Sequence, residues 1–163
     1  MGAEKIQSYD VKAGLEEIPT FDVAGVSAKI TGPESAAEEI NALWQSFFEQ
    51  NIGQALEEMR MDDVIYALYS DYEGDHTKPY RLTIGYKVEG KAIPEGYHMA
   101  KATGGDYAML AAQGQQPQSL IETWEAVWQS DLDRTYDTDF EVYGPRFFEE
   151  GMHEILVCIG VNI

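Results

Sequence analysis

The sequence predicts an α+β domain of two similar halves, each running strand-strand-helix-strand-strand, with antiparallel sheet and the helices on one face. Two observations carry this. The first is an internal repeat. Leu43-Trp44-Gln45-Ser46-Phe47-Phe48 is echoed by Thr123-Trp124-Glu125-Ala126-Val127-Trp128, Tyr66-Ala67-Leu68-Tyr69 by Phe140-Glu141-Val142-Tyr143, and 81–88 by 154–161. The offsets are nearly constant, at 80, 74 and 73 residues. Two copies of that length are too few and too long for a solenoid, so they form one pseudo-two-fold domain whose two helices meet over a shared sheet. The second observation is hydrophobic periodicity, which is helical around Trp44 and Trp124 and strand-like on either side.

Residues 8–18 mix polar and apolar positions up to Pro19, as a first strand does. Residues 21–30 form a second, stopped by Thr31-Gly32-Pro33. Ser35 followed by Glu38 has capping-box spacing. Ile40, Leu43, Trp44, Phe47 and Phe48 then recur at helical spacing and make one apolar stripe. Residues 52–59 read as a short additional turn. Residues 64–72 and 80–88 are an antiparallel pair, joined by a polar connection too long for a tight hairpin. The segment 89–96 links the halves and is short, so they pack together as one domain over 1–163, with repeats at about 8–88 and 97–163. In the second half, 97–103 and 107–113 are strands parted by Gly104-Gly105. A helix over 117–132 opens with Pro117 and puts Leu120, Ile121, Trp124, Val127 and Trp128 on one face. Residues 139–144 and 153–161 are the last strand pair.

The bulk properties restrict function. At 163 residues, 44% hydrophobic and 12% aromatic, the chain can bury a core without staples. Its 29 acidic and 11 basic residues give a net charge of −18, which repels nucleic-acid backbones and anionic membranes. Neither direct nucleic-acid binding nor membrane binding is expected. Cationic small molecules or a basic protein partner suit the charge. Cys158, the single cysteine, lies in an apolar run and reads as a buried structural thiol. No signal peptide or membrane span is apparent, so a cytoplasmic protein is expected.

One substitution within the repeat stands out. Where the first half has the methyl of Ala67, the second has the carboxylate of Glu141. Glu141 and Tyr143 lie two apart on a strand and share a face; Ala67 and Tyr69 are their counterparts. With Trp44, Phe48, Trp124 and Trp128 on the helix faces, they could form an aromatic cage with an acid at one end, a receptor for a lipophilic cation through charge and ring faces. Other chemistries are poorly supported. His76, His98 and His153 have no metal-ligand spacing. Asp131, Asp133, Asp137 and Asp139 lack the register of a calcium loop and read as solvated. No nucleophile triad or phosphate loop is present. No cofactor or metal is expected.

The motifs Ile93-Pro94-Glu95-Gly96, Gly105-Asp106-Tyr107-Ala108, Gln113-Gly114, the helix bearing Trp124 and Trp128, and Asp139-Phe140-Glu141-Val142-Tyr143 resemble the GyrI-like small-molecule-binding domain, the effector-binding domain of bacterial transcription activators, including relatives of AraC-type regulators. The resemblance implies the doubled fold, a cleft between the two helices, and an acid in it that engages cationic aromatic drugs and dyes. Carried over by motif, that acid is Glu141. In the family the last strand often ends in a proline-containing motif, and here Gly160 holds that place. Regulators of the family carry a DNA-binding segment ahead of this domain, and so few residues precede the first strand here that a stand-alone module is expected. Three functions follow: a binding module acting as sensor, sequestering protein or regulator subunit; a hydrolase of small strained electrophiles using Glu141 with Tyr143; or an acidic protein that binds a basic partner, as a gyrase inhibitor does.

Overall fold

In a computed structural model, residues 14–74, 77–89, 93–113, 118–144, 147 and 154–162 are described. The elements are β1 (Leu15–Ile18), β2 (Phe21–Ile30), α1 (Ala36–Glu49), α2 (Ile52–Ala55), β3 (Arg60–Ser70), β4 (Tyr80–Val88), β5 (His98–Ala102), β6 (Gly105–Ala112), α3 (Gln118–Gln129), β7 (Arg134–Tyr143) and β8 (Ile155–Val161). They follow the predicted order. β3 begins earlier than expected, at Arg60, and β7 earlier, at Arg134. Residues 8–13 of the expected first strand, Pro117, and His76 and His153 lie outside the described residues.

All eight strands form one antiparallel sheet in the order β1-β6-β8-β7-β3-β4-β2-β5. The order reads the same from both ends once the halves are exchanged. β3 and β7 meet at the centre, β4 and β8 flank them, and β2 and β6 follow. The outermost strands are swapped: β1 pairs with β6 of the second half, and β5 with β2 of the first. Each half therefore completes the other's edge. The register repeats too. The β3–β4 ladder breaks between Arg60 and Ile65, and the β7–β8 ladder between Arg134 and Asp139, the same place 74 residues on. Tyr136, inside the second break, adopts a positive φ of 57°.

β2 and β4 cross closely at Gly25 and Gly85, which are register partners. A Cβ on Gly25 would stand 2.0 Å from the Ile84 carbonyl oxygen, and one on Gly85 1.8 Å from that of Ala24. No side chain fits there, so glycine at both positions is required by the approach.

Alternation along the strands sorts the core into two clusters. On the helix side Ile65, Ala67, Tyr69 and Tyr143 pack with Leu43 and Phe47 of α1 and Trp124 and Val127 of α3. On the reverse side Leu68, Phe140, Met109 and Cys158 pack with Phe21 and Tyr107, whose rings each lie 5.1 Å from that of Phe140. Cys158 is fully buried there, and burial pushes its thiol pKa far up, so it is a poor nucleophile. No helix among the described residues is long and apolar enough to cross a membrane.

The start of α1 differs from the expected capping box. Ser35 makes no side-chain cap hydrogen bond. Glu39, one residue beyond the expected partner Glu38, reaches back instead. It accepts from the Thr31 amide at 2.9 Å, the Thr31 hydroxyl at 2.9 Å and the Ser35 hydroxyl at 3.3 Å. The helix is thus pinned to the end of β2, and these hydrogen bonds hold the Glu39 carboxyl below its usual pKa.

Candidate functional site

The two central strands each send a tyrosine toward the helices. Tyr69 stands two residues after Ala67, and Tyr143 two after Glu141, so all four side chains share the helix-facing side. Ala67 and Glu141 are direct partners in the β3–β7 ladder, and each residue before one faces a residue after the other. The pseudo-two-fold axis therefore passes between them. The small methyl on one side of the axis leaves room for the carboxylate on the other.

Glu141 is 2% exposed and accepts three hydrogen bonds. The Tyr143 hydroxyl donates to Oε1 at 2.7 Å, the Tyr69 hydroxyl to Oε2 at 2.8 Å, and the Trp124 indole N–H to Oε2 at 2.7 Å. Among the described residues no basic side chain forms an ion pair with it. Burial raises its pKa, and the donors from Tyr143, Tyr69 and Trp124 offset only part of that rise. The same burial, together with the adjacent carboxylate, holds the Tyr69 and Tyr143 hydroxyls well above their usual pKa, so both remain donors at neutral pH. Tyr80 is pushed up to about 12 by burial and by the charge of Glu141.

Over this carboxylate lies a cavity of about 790 Å³ between α1, α3 and the central strands, and it holds every residue singled out in the sequence: Glu141, Tyr143, Trp44, Phe48, Tyr69, Trp124 and Trp128. Trp44 meets Tyr143 edge-on with centroids 5.0 Å apart, and Trp124 meets Tyr69 at 5.2 Å. Phe48 and Trp128, 63% and 43% exposed, stand at the mouth. The acid lies beneath the cavity, at its floor. Since Glu141 lies on the pseudo-two-fold axis, it is flanked by an aromatic wall on each side.

Sequence reasoning missed a second buried charge. Asp139 was expected in a solvated acidic run, but it is fully buried in β7. Its Oδ2 accepts from Arg134 Nη2 at 2.7 Å and from the Tyr72 hydroxyl, and its Oδ1 accepts from the Gly160 amide at 2.8 Å. Arg134 is itself nearly buried, its guanidinium 4.3 Å from the Tyr136 ring centre. Asp139 shares the inward face of β7 with Glu141 and Tyr143, but the exposed Asp137 has the same two-residue spacing, so spacing alone does not mark the burial. Gly160 also acquires a reason here. Proline at this place would remove the amide that Asp139 uses, and a Cβ would come within 2.8 Å of Thr135 Oγ1 and 2.9 Å of the Thr138 carbonyl. Arg134, Tyr72 and Tyr80 also line the cavity. His98 is exposed on β5, away from it.

Comparison with known proteins places this architecture. The family described as Cass2, integron-associated effector binding protein, matches residues 14–159. YobU, a candidate transcriptional regulator of Bacillus subtilis (strain 168), is 29% identical over 139 residues, which span 80% of this chain and 87% of that protein. Among solved structures, the integron cassette protein VCH_CASS2 from the mobile metagenome of Vibrio cholerae is 24% identical, with a TM-score of 0.68 over 93% of this chain and 97% of its own. SAV2435, solved bound to tetraphenylphosphonium, is 16% identical, with a TM-score of 0.76 over 93% of this chain and 94% of its own. At these identities the two structural likenesses speak to the fold.

Proposed function

This chain belongs to the Cass2 family of integron-associated effector binding proteins, with the GyrI-like fold its motifs resemble, and we propose that its effectors are cationic, aromatic small molecules held beside Glu141. The observation that carries this reading is the state of that carboxylate. It is buried, held by three donors and matched by no cation among the described residues. A buried carboxylate without a counter-charge is costly, and a cation entering the cavity would supply the missing charge. Aromatic ring faces on both sides would each add about 0.5–2 kcal/mol through cation–π contact. SAV2435, which shares the fold, is solved with a ligand of this kind.

The test is calorimetry with tetraphenylphosphonium and with neutral triphenylphosphine oxide on wild type and Glu141→Gln. The amide preserves the site's shape. Its oxygen can accept from Tyr69 and Trp124, and its NH₂ can donate to the Tyr143 hydroxyl. Loss of the charge should weaken the cation by about 2–4 kcal/mol, roughly 30- to 1000-fold, and leave the neutral ligand nearly unchanged. Equal losses for both ligands would remove Glu141 as the cation receptor.

A further inference from the structure

The aromatics around Glu141 come in pairs related by the pseudo-two-fold axis. Trp44 against Tyr143 at 5.0 Å has its counterpart in Trp124 against Tyr69 at 5.2 Å. One turn outward, Phe48 stacks on Trp44 at 5.9 Å and 25°, and Trp128 lies beside Trp124 at 6.5 Å, its ring tilted by 35°. The hydroxyls of the paired tyrosines meet on a single carboxylate. The cavity thus has one carboxylate at its floor, between two similar walls.

We infer that the ligand fitted to this cavity is a cation with two aromatic arms, its charged centre above Glu141 and one arm against each wall. This rests on the reading of Glu141 as a cation receptor and adds to it the shape of the ligand. A cation with one arm can use one wall at a time and leaves the other uncovered. At about 790 Å³ the cavity has the size that holds a drug-sized molecule, more than a single ring and a small ammonium group occupy. The arms need not be identical, because the walls are not. Trp124 is fixed by its hydrogen bond to Glu141, and the outer ring is Trp128 on that side and Phe48 on the other.

The experiment compares dibenzyldimethylammonium, which has two arms, with benzyltrimethylammonium, which has one arm and the same charge, by calorimetry on the full chain. In wild type the two-armed cation should bind at least about tenfold more tightly. Trp44→Leu and Trp124→Leu remove one wall each and keep an apolar side chain of moderate size. Each should weaken the two-armed cation about tenfold. The one-armed cation can move to the intact wall, so in each variant it should lose clearly less than the two-armed cation does. If Trp124→Leu does not fold, Trp44→Leu and the wild-type comparison decide.

Equal wild-type affinities for the two cations overturn the inference, as does the same fold-loss for both in Trp44→Leu. Glu141→Gln separates this inference from the one beneath it. If both cations weaken and their ratio persists, both readings stand. If neither weakens while the ratio persists, the acid is not the receptor, the placement of the charge above Glu141 falls, and only the seating of one arm against each wall stands. If both weaken but were equal in wild type, only the two-wall inference falls. Binding of neither cation overturns both.

Discussion

Ala67 and Glu141 face each other as partners in the β3–β7 ladder, at the point where the pseudo-two-fold axis crosses the sheet. The fold has only one such position, and any side chain there faces its own counterpart. Two acids would repel and two large groups would clash, so a single functional group on the axis requires a small partner. The repeat breaks at this pair because the axis cannot hold two copies of the same carboxylate.

Replacing Ala67 with glutamate should therefore be costly in a way that depends on pH. Two buried carboxylates about 5 Å apart at Cβ cannot both ionise readily. At neutral pH Ala67→Glu should lose about 4 kcal/mol or more of stability, with partial recovery under mild acid as one group takes up a proton. Ala67→Leu overpacks the same site and should lose about 1–3 kcal/mol with no such recovery. Urea unfolding of both variants at pH 5 and pH 7 measures the difference; equal pH dependence would show that the carboxylates do not interact.

Glu141 should also leave a signature in the wild-type stability curve. Its folded pKa is raised, so between its unfolded pKa near 4.5 and the folded value the native state holds more protons than the unfolded chain. Stability from this group is then highest below the unfolded pKa and falls as pH rises through the folded pKa, by up to about 1.4 kcal/mol per pH unit. Glu39, whose pKa is lowered, acts in the opposite sense, so the comparison must be with Glu141→Gln. The stability of that variant relative to wild type should increase as pH rises across the window and then level off. A bound cation favours the charged form, so ligand affinity should rise with pH over the same range.

Most of the fold was legible in the sequence because the repeat and the periodicities are local patterns. The sequence aligned Ala67 with Glu141 and Trp44 with Trp124, and those alignments are the symmetry of the structure. The strand exchange of β1 and β5 was not legible, since nothing in a strand's own sequence names its partner. Nor was the burial of Asp139. Its neighbours Asp137 and Asp133 are exposed, and what separates it from them is the ladder break that brings Arg134 and the Gly160 amide to its carboxylate. That break depends on backbone geometry, which no spacing rule records.

The Arg134–Asp139 pair should behave as a buried ion pair. Asp139→Asn keeps an acceptor for the Gly160 amide and removes the charge, leaving a guanidinium that is 4% exposed without its counter-ion. That should cost about 3–5 kcal/mol. Arg134→Met combined with Asp139→Asn should restore much of the loss. Chemical denaturation of the single and double variants forms the cycle, and additive losses would mean that the pair contributes no coupling.

The two tyrosines on Glu141 are equivalent in the fold but not in their hydrogen bonding, and this gives the sharpest test of the site's geometry. Tyr143 is the described donor to Oε1, whereas Tyr69 shares Oε2 with the Trp124 indole. A hydrogen bond to a charged group contributes about 1.5–3 kcal/mol, and losing one raises the pKa of the carboxylate it served. Tyr143→Phe strips Oε1 of its donor, while Tyr69→Phe leaves Oε2 with the indole. Tyr143→Phe should therefore raise the Glu141 pKa more than Tyr69→Phe, and the double variant more than either. The rings stay in place in all three, so the aromatic walls and the apolar core are preserved. Carboxylate NMR titration of the unliganded proteins reads each value directly. Equal shifts in the two single variants would mean that the indole bond adds nothing and that the site is as symmetric electrostatically as it is in outline.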